Sequence, residues 1–353
     1  METKKSEENP KQVFFQGSLD SPLSSCIVIA SHLTKQHRIK YLMECLDSLF
    51  QQTLVIPIYL SFSFENDEIN QEFAKEFVSR PYLHNDFLYL YPQESKTAQM
   101  QHIFQLYPIL KERYHWLFFC DDDDTYEPKR VETFLQNIQY CISNYETPEK
   151  KFQGIYEQQH NAVHRQRRHE YWCYCINMRF FDKFYLVLLD YPDIVENKCC
   201  DVLFAEFIRR HDDTHLFACL PEKLYNYRRT DNSDSITGYI QETNRKIRPA
   251  RTGTDANREE CAKELNDYLD DNIEYYLSDT FLYSITGQPF DNILKSEFKS
   301  EYCIVDLIKP CHIDKMRNKY DYLLKVCNKL YDIPIYTSEY LNPHPVGVLD
   351  TNL

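Results

Sequence analysis

Four carboxylates follow one another without a break at Asp121-Asp122-Asp123-Asp124, directly after the apolar run Leu117-Phe118-Phe119-Cys120. Like charges packed side by side cost free energy unless a positive partner sits among them. The apolar run reads as a buried strand, and Thr125-Tyr126-Glu127-Pro128 as the approach to a helix. The carboxylates therefore fall at the C-terminal end of a strand, where open α/β sheets hold their ligands. A hard divalent cation, Mg²⁺ or Mn²⁺, is the expected partner. Such ions take oxygen ligands and commonly a substrate phosphate as well.

Composition removes several alternatives. The chain holds six isolated glycines, so it has neither a glycine-rich phosphate loop nor a dinucleotide fingerprint. Its formal net charge of -14 argues against nucleic acid as a partner. Thirteen cysteines are scattered without a C-x-x-C pair, most of them in apolar runs. They read as small buried hydrophobes of a reduced protein, with no zinc pattern, and a cytoplasmic location is expected. The first 22 residues are polar and carry no apolar core, so no secretory leader is expected there. No apolar run approaches the roughly 18 residues of a membrane-spanning helix, and no transmembrane segment is expected.

Hydrophobic periodicity organises the chain. Residues 1–22 read as a disordered arm. Cys26–Ala30 is a buried strand ending at Ser31-His32. Ile39, Leu42, Met43, Leu46, Leu49 and Phe50 lie on one helix face, with Thr34 as N-cap. Strands follow over Val55–Phe64, Phe87–Tyr91 and Trp116–Cys120. Helices follow over Glu68–Val78, Lys96–Lys111 (with Pro108 as a kink) and from Pro128 onward. This alternation predicts an α/β domain over 23–240, with a mostly parallel sheet flanked by helices. Phe152–Tyr156, Tyr171–Asn177, Leu216–Leu220 and Leu224–Arg228 read as further strands, and Phe181–Leu189 and Asp201–Arg210 as helices. Residues 241–255 read as a linker and 256–353 as a mainly helical C-terminal region.

Three segments in this order resemble the family 2-like glycosyltransferases of GT-A fold, a Rossmann-like architecture. They are Tyr41-Leu42-Met43-Glu44-Cys45-Leu46-Asp47-Ser48-Leu49-Phe50-Gln51-Gln52-Thr53, the acidic run through Val131, and Leu224-Tyr225-Asn226-Tyr227-Arg228-Arg229 with Ser233 and Ser235. The resemblance covers roughly residues 25–240. It implies transfer of a sugar from a nucleotide-diphosphate sugar, a UDP-sugar favoured, to the hydroxyl of a glycan or other acceptor, with inversion.

By the family pattern Asp121 and Asp123 form the D-x-D motif. Asp123 is then the main ligand of Mn²⁺ or Mg²⁺, and Asp121 serves the ribose or the metal shell. Asp124 is expected to support the following turn and helix N-terminus, and Asp122 to point to solvent. Asp201, opening an apolar helix, holds the place of the general base; it reads equally as an ordinary first-turn aspartate. Ser31, His32, Glu65 and Lys96 fall where the family contacts the nucleotide. Arg228 and Arg229 suit a diphosphate, and Asp231 or Asn232 stands where some relatives place a third metal ligand. The basic loop His160–His169 reads as a solvated loop or a flap. Trp172 reads as a core aromatic or a platform for an acceptor sugar.

Two rival readings remain. Asp121-x-Asp123-x-Thr125 also spells the signature of haloacid-dehalogenase-like phosphatases, with Asp121 as nucleophile. That motif normally opens its domain, whereas three strand–helix units precede it here. The other rival is a non-catalytic GT-A-like binding protein.

Overall fold

Long apolar runs that are buried on both sides specify a parallel sheet, because crossover helices cover its faces. The computed structural model describes residues 13–15, 21–147, 151–158, 170–212, 216–228, 258–284, 289–291 and 305–331. Its strands are β1 (Val13–Phe14), β2 (Ser25–Leu33), β3 (Leu54–Val55), β4 (Ile58–Phe64), β5 (Leu88–Pro92), β6 (Trp116–Asp121), β7 (Thr125–Tyr126), β8 (Gly154–Glu157), β9 (Tyr174–Asn177), β10 (Phe217–Leu220) and β11 (Tyr225–Asn226). The helices between them are α1 (Gln36–Phe50), α2 (Asp67–Val78), α3 (Gln99–Leu110), α4 (Arg130–Tyr145), α5 (Met178–Leu188), α6 (Pro192–Val195) and α7 (Cys200–Asp212), and α8 (Arg258–Ser284) and α9 (Pro310–Tyr331) follow.

Seven strands form one sheet in the order β5-β4-β2-β6-β9-β8-β10. Only β9 runs against its neighbours β6 and β8; the other pairings are parallel. The mostly parallel α/β sheet expected from the alternation is present. β6 sits at its centre, and β2 beside it is buried along its length except at His32. α1 presents Ile39, Leu42, Met43, Cys45, Leu46 and Leu49 to the core. Each such aliphatic side chain contributes about 1.5–3 kcal/mol when fully buried.

Several boundaries differ from the sequence reading, for local reasons. Lys35, not Thr34, caps α1 in an extended conformation, and its side chain makes no cap hydrogen bond. The expected strand Val55–Phe64 divides into β3 and β4 at Pro57, which has no N–H for a ladder; its carbonyl accepts from Ile27 N at 2.9 Å. Pro128 precedes α4 rather than opening it, and its carbonyl accepts from Thr53 N at 2.7 Å. Tyr171–Cys173 form a 3-10 turn before β9. Within the stretch expected as an arm, Val13–Phe14 pair in parallel with Leu54–Val55. α2 has an acidic first turn, Asp67 and Glu68, with the Asn66 side chain accepting from Ile69 N at 3.0 Å.

The chain divides into two compact units, the first containing residues up to Leu186 and His211–Arg228, the second Val187–Arg210 and the described residues from Arg258 on. In the second, α8 and α9 share a core of Leu265, Leu269, Ile273, Met316 and Tyr320. α8 breaks helical geometry at Asn272. Ten of the described cysteines are buried thiols and Cys311 is exposed. No described helix is long and apolar enough to cross a membrane.

Inside the first unit Arg130 is fully buried. It pairs with Glu157 at 3.5 Å, donates to the Trp172 carbonyl at 3.0 Å and lies 4.2 Å from the Tyr126 ring centre. The sheet leaves no space beside Gly154 in β8. A Cβ there would meet Phe217 Cε1 at 2.5 Å and the Cys175 carbonyl oxygen at 2.8 Å. The ring can turn, but the backbone oxygen of β9 cannot. Gly154→Ala is therefore expected to lower unfolding free energy by about 1–3 kcal/mol, read as a lower urea midpoint at unchanged m-value.

Candidate functional site

Strand register decides which side chains meet. Ala30 of β2 lies level with Asp121 of β6, and Ser31 and His32 lie level with Phe62 and Ser63 of β4. The C-terminal ends of the adjacent strands β4, β2 and β6 thus bring Ser31, His32, Ser63 and the acidic run to one edge of the sheet.

Each of the four carboxylates there has its own partners. Asp121, partly buried, accepts from Gln99 Nε2 at 2.9 Å and from the Tyr171 hydroxyl. Asp122 does not point to solvent: it is buried, accepting from Ser31 Oγ at 2.5 Å and Arg38 Nη2 at 2.6 Å. Asp123 accepts from Arg38 Nη1 at 2.8 Å. Asp124 anchors the returning chain rather than the helix start, accepting from the Tyr225 hydroxyl at 2.8 Å and Arg228 N at 2.7 Å. β7 and β11 pair antiparallel at this point.

Electrostatics follow from this crowding. Burial, then the neighbouring Asp123, pushes Asp124 up to about 8. Burial also raises Asp122, and Arg38 pulls it back. For Arg38 burial works against the charge, and Asp122 and Asp123 outweigh it, so the guanidinium is held more firmly protonated than usual.

The C-terminal half of α1 and the residues just after it are the mount for this loop. Gln52, fully buried, donates to the Glu127 carbonyl at 2.9 Å and accepts from Val131 N at 3.1 Å. Ser48 Oγ accepts from Tyr126 N at 3.1 Å, and Thr53 Oγ1 donates to Glu132 at 2.7 Å. Glu44 takes Nη2 of Arg228, whose Nε donates to the Asp123 carbonyl at 2.7 Å and whose guanidinium lies 4.2 Å from the Tyr41 ring centre. Arg228, expected at a diphosphate, is here engaged by protein groups.

The residues expected on the nucleotide side also come together. His32 Nδ1 lies 2.8 Å from Ser63 Oγ and Nε2 2.9 Å from Glu65, and Lys96 Nζ lies 3.6 Å from the same carboxylate. His32, then Lys96, lowers the Glu65 pKa. Beneath them, buried His102 contacts Ser61 Oγ through Nδ1 at 2.8 Å, and Gln93 donates to that hydroxyl at 3.1 Å. Trp172 is buried and stacks on Tyr225 and Tyr227, with centroids 4.1 and 5.4 Å away; of these rings Tyr227 is exposed.

Asp201 lies in the second unit, in the first turn of α7 and partly buried. Arg229, Asp231, Asn232, Ser233, Ser235, the linker 241–255 and the loop His160–His169 lie outside the described residues. Sequence reasoning missed Arg38 and Tyr171, and it placed Gln99 with Lys96 at the opening of the third helix, near the nucleotide, rather than on Asp121. A signal existed for Arg38: an acidic run buried at a strand end demands a cation, and the helix following β2 starts at the same sheet edge.

Asp121 and Asp123 offer hard oxygen donors of the type Mg²⁺ and Mn²⁺ take. Among the described residues no three His, Cys, Asp or Glu side chains form a ready metal cluster. Two carboxylates completed by phosphate and water oxygens are a common Mg²⁺ arrangement, so the donor set fits an ion that arrives with a phosphate substrate.

No family model and no curated protein matches the chain. Among solved structures, S. aureus TarS matches with TM-score 0.40 and 11% identity over 88% of this chain and 55% of that one. The 1-349 form of S. aureus TarS matches with TM-score 0.39 and 12% identity over 88% of this chain and 90% of that one. The chain thus spans 55% of the length of the first.

Burial, then the nearby His32, lowers the His102 pKa from 6.5 to about 4. Between those values the unfolded chain carries a proton that the folded one does not, so this contribution to stability is complete above pH 6.5 and lost as pH falls toward 4. His102→Gln is expected to show a smaller drop in melting temperature between neutral and mildly acidic buffer than the parent, measured by calorimetry at matched ionic strength.

Proposed function

We propose that this chain is a metal-dependent glycosyltransferase of GT-A type, moving a sugar from a nucleotide-diphosphate donor to an acceptor hydroxyl with inversion. The observation that carries the reading is the acidic run at the C-terminal end of central strand β6, clasped by the returning segment through Tyr225 and Arg228. Crevices at such strand ends are where open α/β sheets bind nucleotides.

Asp123, with Asp121, is the proposed holder of Mn²⁺ or Mg²⁺, whose chemistry would be to neutralise the charge gathering on the leaving diphosphate. Ser31, His32, Glu65 and Lys96 form the proposed nucleoside side of the pocket, and Arg228 with Arg229 the proposed phosphate side. Asp201 is the proposed base. The acceptor oxygen attacks the anomeric carbon as the bond to the diphosphate oxygen breaks, and the acceptor proton passes to the Asp201 carboxylate. A UDP-sugar is the first donor to test.

Binding of UDP is expected to raise the melting temperature in the presence of Mn²⁺ and much less in its absence, because a ligand held by the folded state stabilises it by mass action. Asp123→Ala should lose about tenfold or more of that Mn²⁺-dependent affinity, the scale of one charge-assisted contact. Equal UDP affinity in parent and variant by calorimetric titration would remove Asp123 from the metal site. Asp201→Asn is expected to keep donor binding and lose transfer; retained turnover rules it out as base. Release of phosphate from simple monoesters by the parent, absent in Asp121→Asn, would turn the reading toward a phosphatase.

A further inference from the structure

Arg38 stands in the first turn of α1 and aims both guanidinium tips at the acidic run. Nη2 lies 2.6 Å from Asp122 and Nη1 2.8 Å from Asp123. The side chain is 15% exposed and its partners 8% and 12%, so solvent screens the contact little. A planar guanidinium bridging two carboxylates makes the strong, directional type of ion pair that an ammonium cannot reproduce. Asp123 is also the carboxylate proposed to hold the divalent ion. A guanidinium and a divalent cation placed on one carboxylate repel each other, so the two are rivals for it.

We propose that Arg38 is a resident counter-cation: it holds Asp122 and Asp123 when no metal is bound, and a divalent ion reaches Asp123 only by displacing it. The proposal rests on the reading of Asp123 as a metal ligand. Two observations favour exchange over a fixed structural pair. Arg38 comes from a helix start beside the crevice, not from the sheet beneath the carboxylates. Asp122 also keeps a second donor, Ser31 Oγ at 2.5 Å, so it is not left unpartnered when the guanidinium leaves. Arg38 then sets the threshold concentration at which metal enters and keeps the acidic loop in shape below it.

Mn²⁺ binding to the full chain, followed by the loss of the free-ion EPR signal, tests this. Arg38→Met is expected to bind Mn²⁺ about tenfold or more tightly than the parent, the scale of a hydrogen bond to a charged group. Arg38→Lys should fall between them, because an ammonium does not span both carboxylates. Adding Asp123→Asn should erase the difference. An Arg38→Met affinity equal to or below the parent's overturns the proposal, while the metal reading survives if Asp123→Asn alone abolishes parent binding. Absence of Mn²⁺ binding in both parent and Arg38→Met overturns the metal reading and the proposal together. Where Arg38→Met does not fold, Arg38→Lys decides: an affinity equal to the parent's overturns the proposal.

Discussion

Four consecutive carboxylates at the end of a buried strand persist only if their charge is answered on the spot, and the elements around them do so. The Ser31 hydroxyl comes from β2, the Arg38 guanidinium from α1, the Gln99 amide from α3 and the Tyr171 hydroxyl from the 3-10 turn before β9. The Tyr225 hydroxyl and Arg228 N–H come from the segment that closes the unit. Removing one partner of a buried ion pair typically costs about 3–5 kcal/mol. The acidic loop therefore ties together five segments spread from β2 to the closing segment, and its conformation depends on all of them.

The mount beneath the loop changes how the motif in α1 is understood. In sequence, Glu44, Ser48, Gln52 and Thr53 stand out only as part of a resemblance. In the structure they form one ladder of polar contacts: Glu44 to Arg228, Ser48 to Tyr126, Gln52 to Glu127 and Val131, and Thr53 to Glu132 and Pro128. Apolar positions of the same helix pack on the core while these polar ones hold the turn between β6 and α4. In this chain the pattern is a device for positioning carboxylates.

What could be read in advance follows the physics of each signal. The strand–helix alternation was legible because β2 and β6 are built on continuous apolar runs, β4 is largely apolar and α1 has a clear helical face. The antiparallel insertion of β9 between β6 and β8 was not, since pairing direction leaves no mark on a short buried strand. Thr34 was a good cap by composition, yet the chain stays extended through Lys35. The fates of Asp122 and Asp124 were misjudged for one reason: each is decided by a partner remote in sequence, Arg38 for one and Tyr225 with Arg228 for the other. His32, Glu65 and Lys96 did come together, near the ends of β2, β4 and β5, while Ser31 turned to Asp122.

The charge balance of this edge bears on why the proposed reaction would need a metal. A diphosphate approaching the crevice meets three cationic side chains named for it or found beside it, and each already carries a carboxylate: Arg38 with Asp122 and Asp123, Lys96 with Glu65, Arg228 with Glu44. Their fields are largely cancelled at the distance of an incoming anion, and the formal charge of the whole chain is -14. Among the described residues, basic side chains alone give such a site little attraction for a nucleotide diphosphate. A divalent cation carried in with the donor would reverse the sign locally, and its arrival at Asp123 would free the Arg38 guanidinium to face the phosphates. In this arrangement metal and donor would strengthen each other's binding, each adding charge that favours the other.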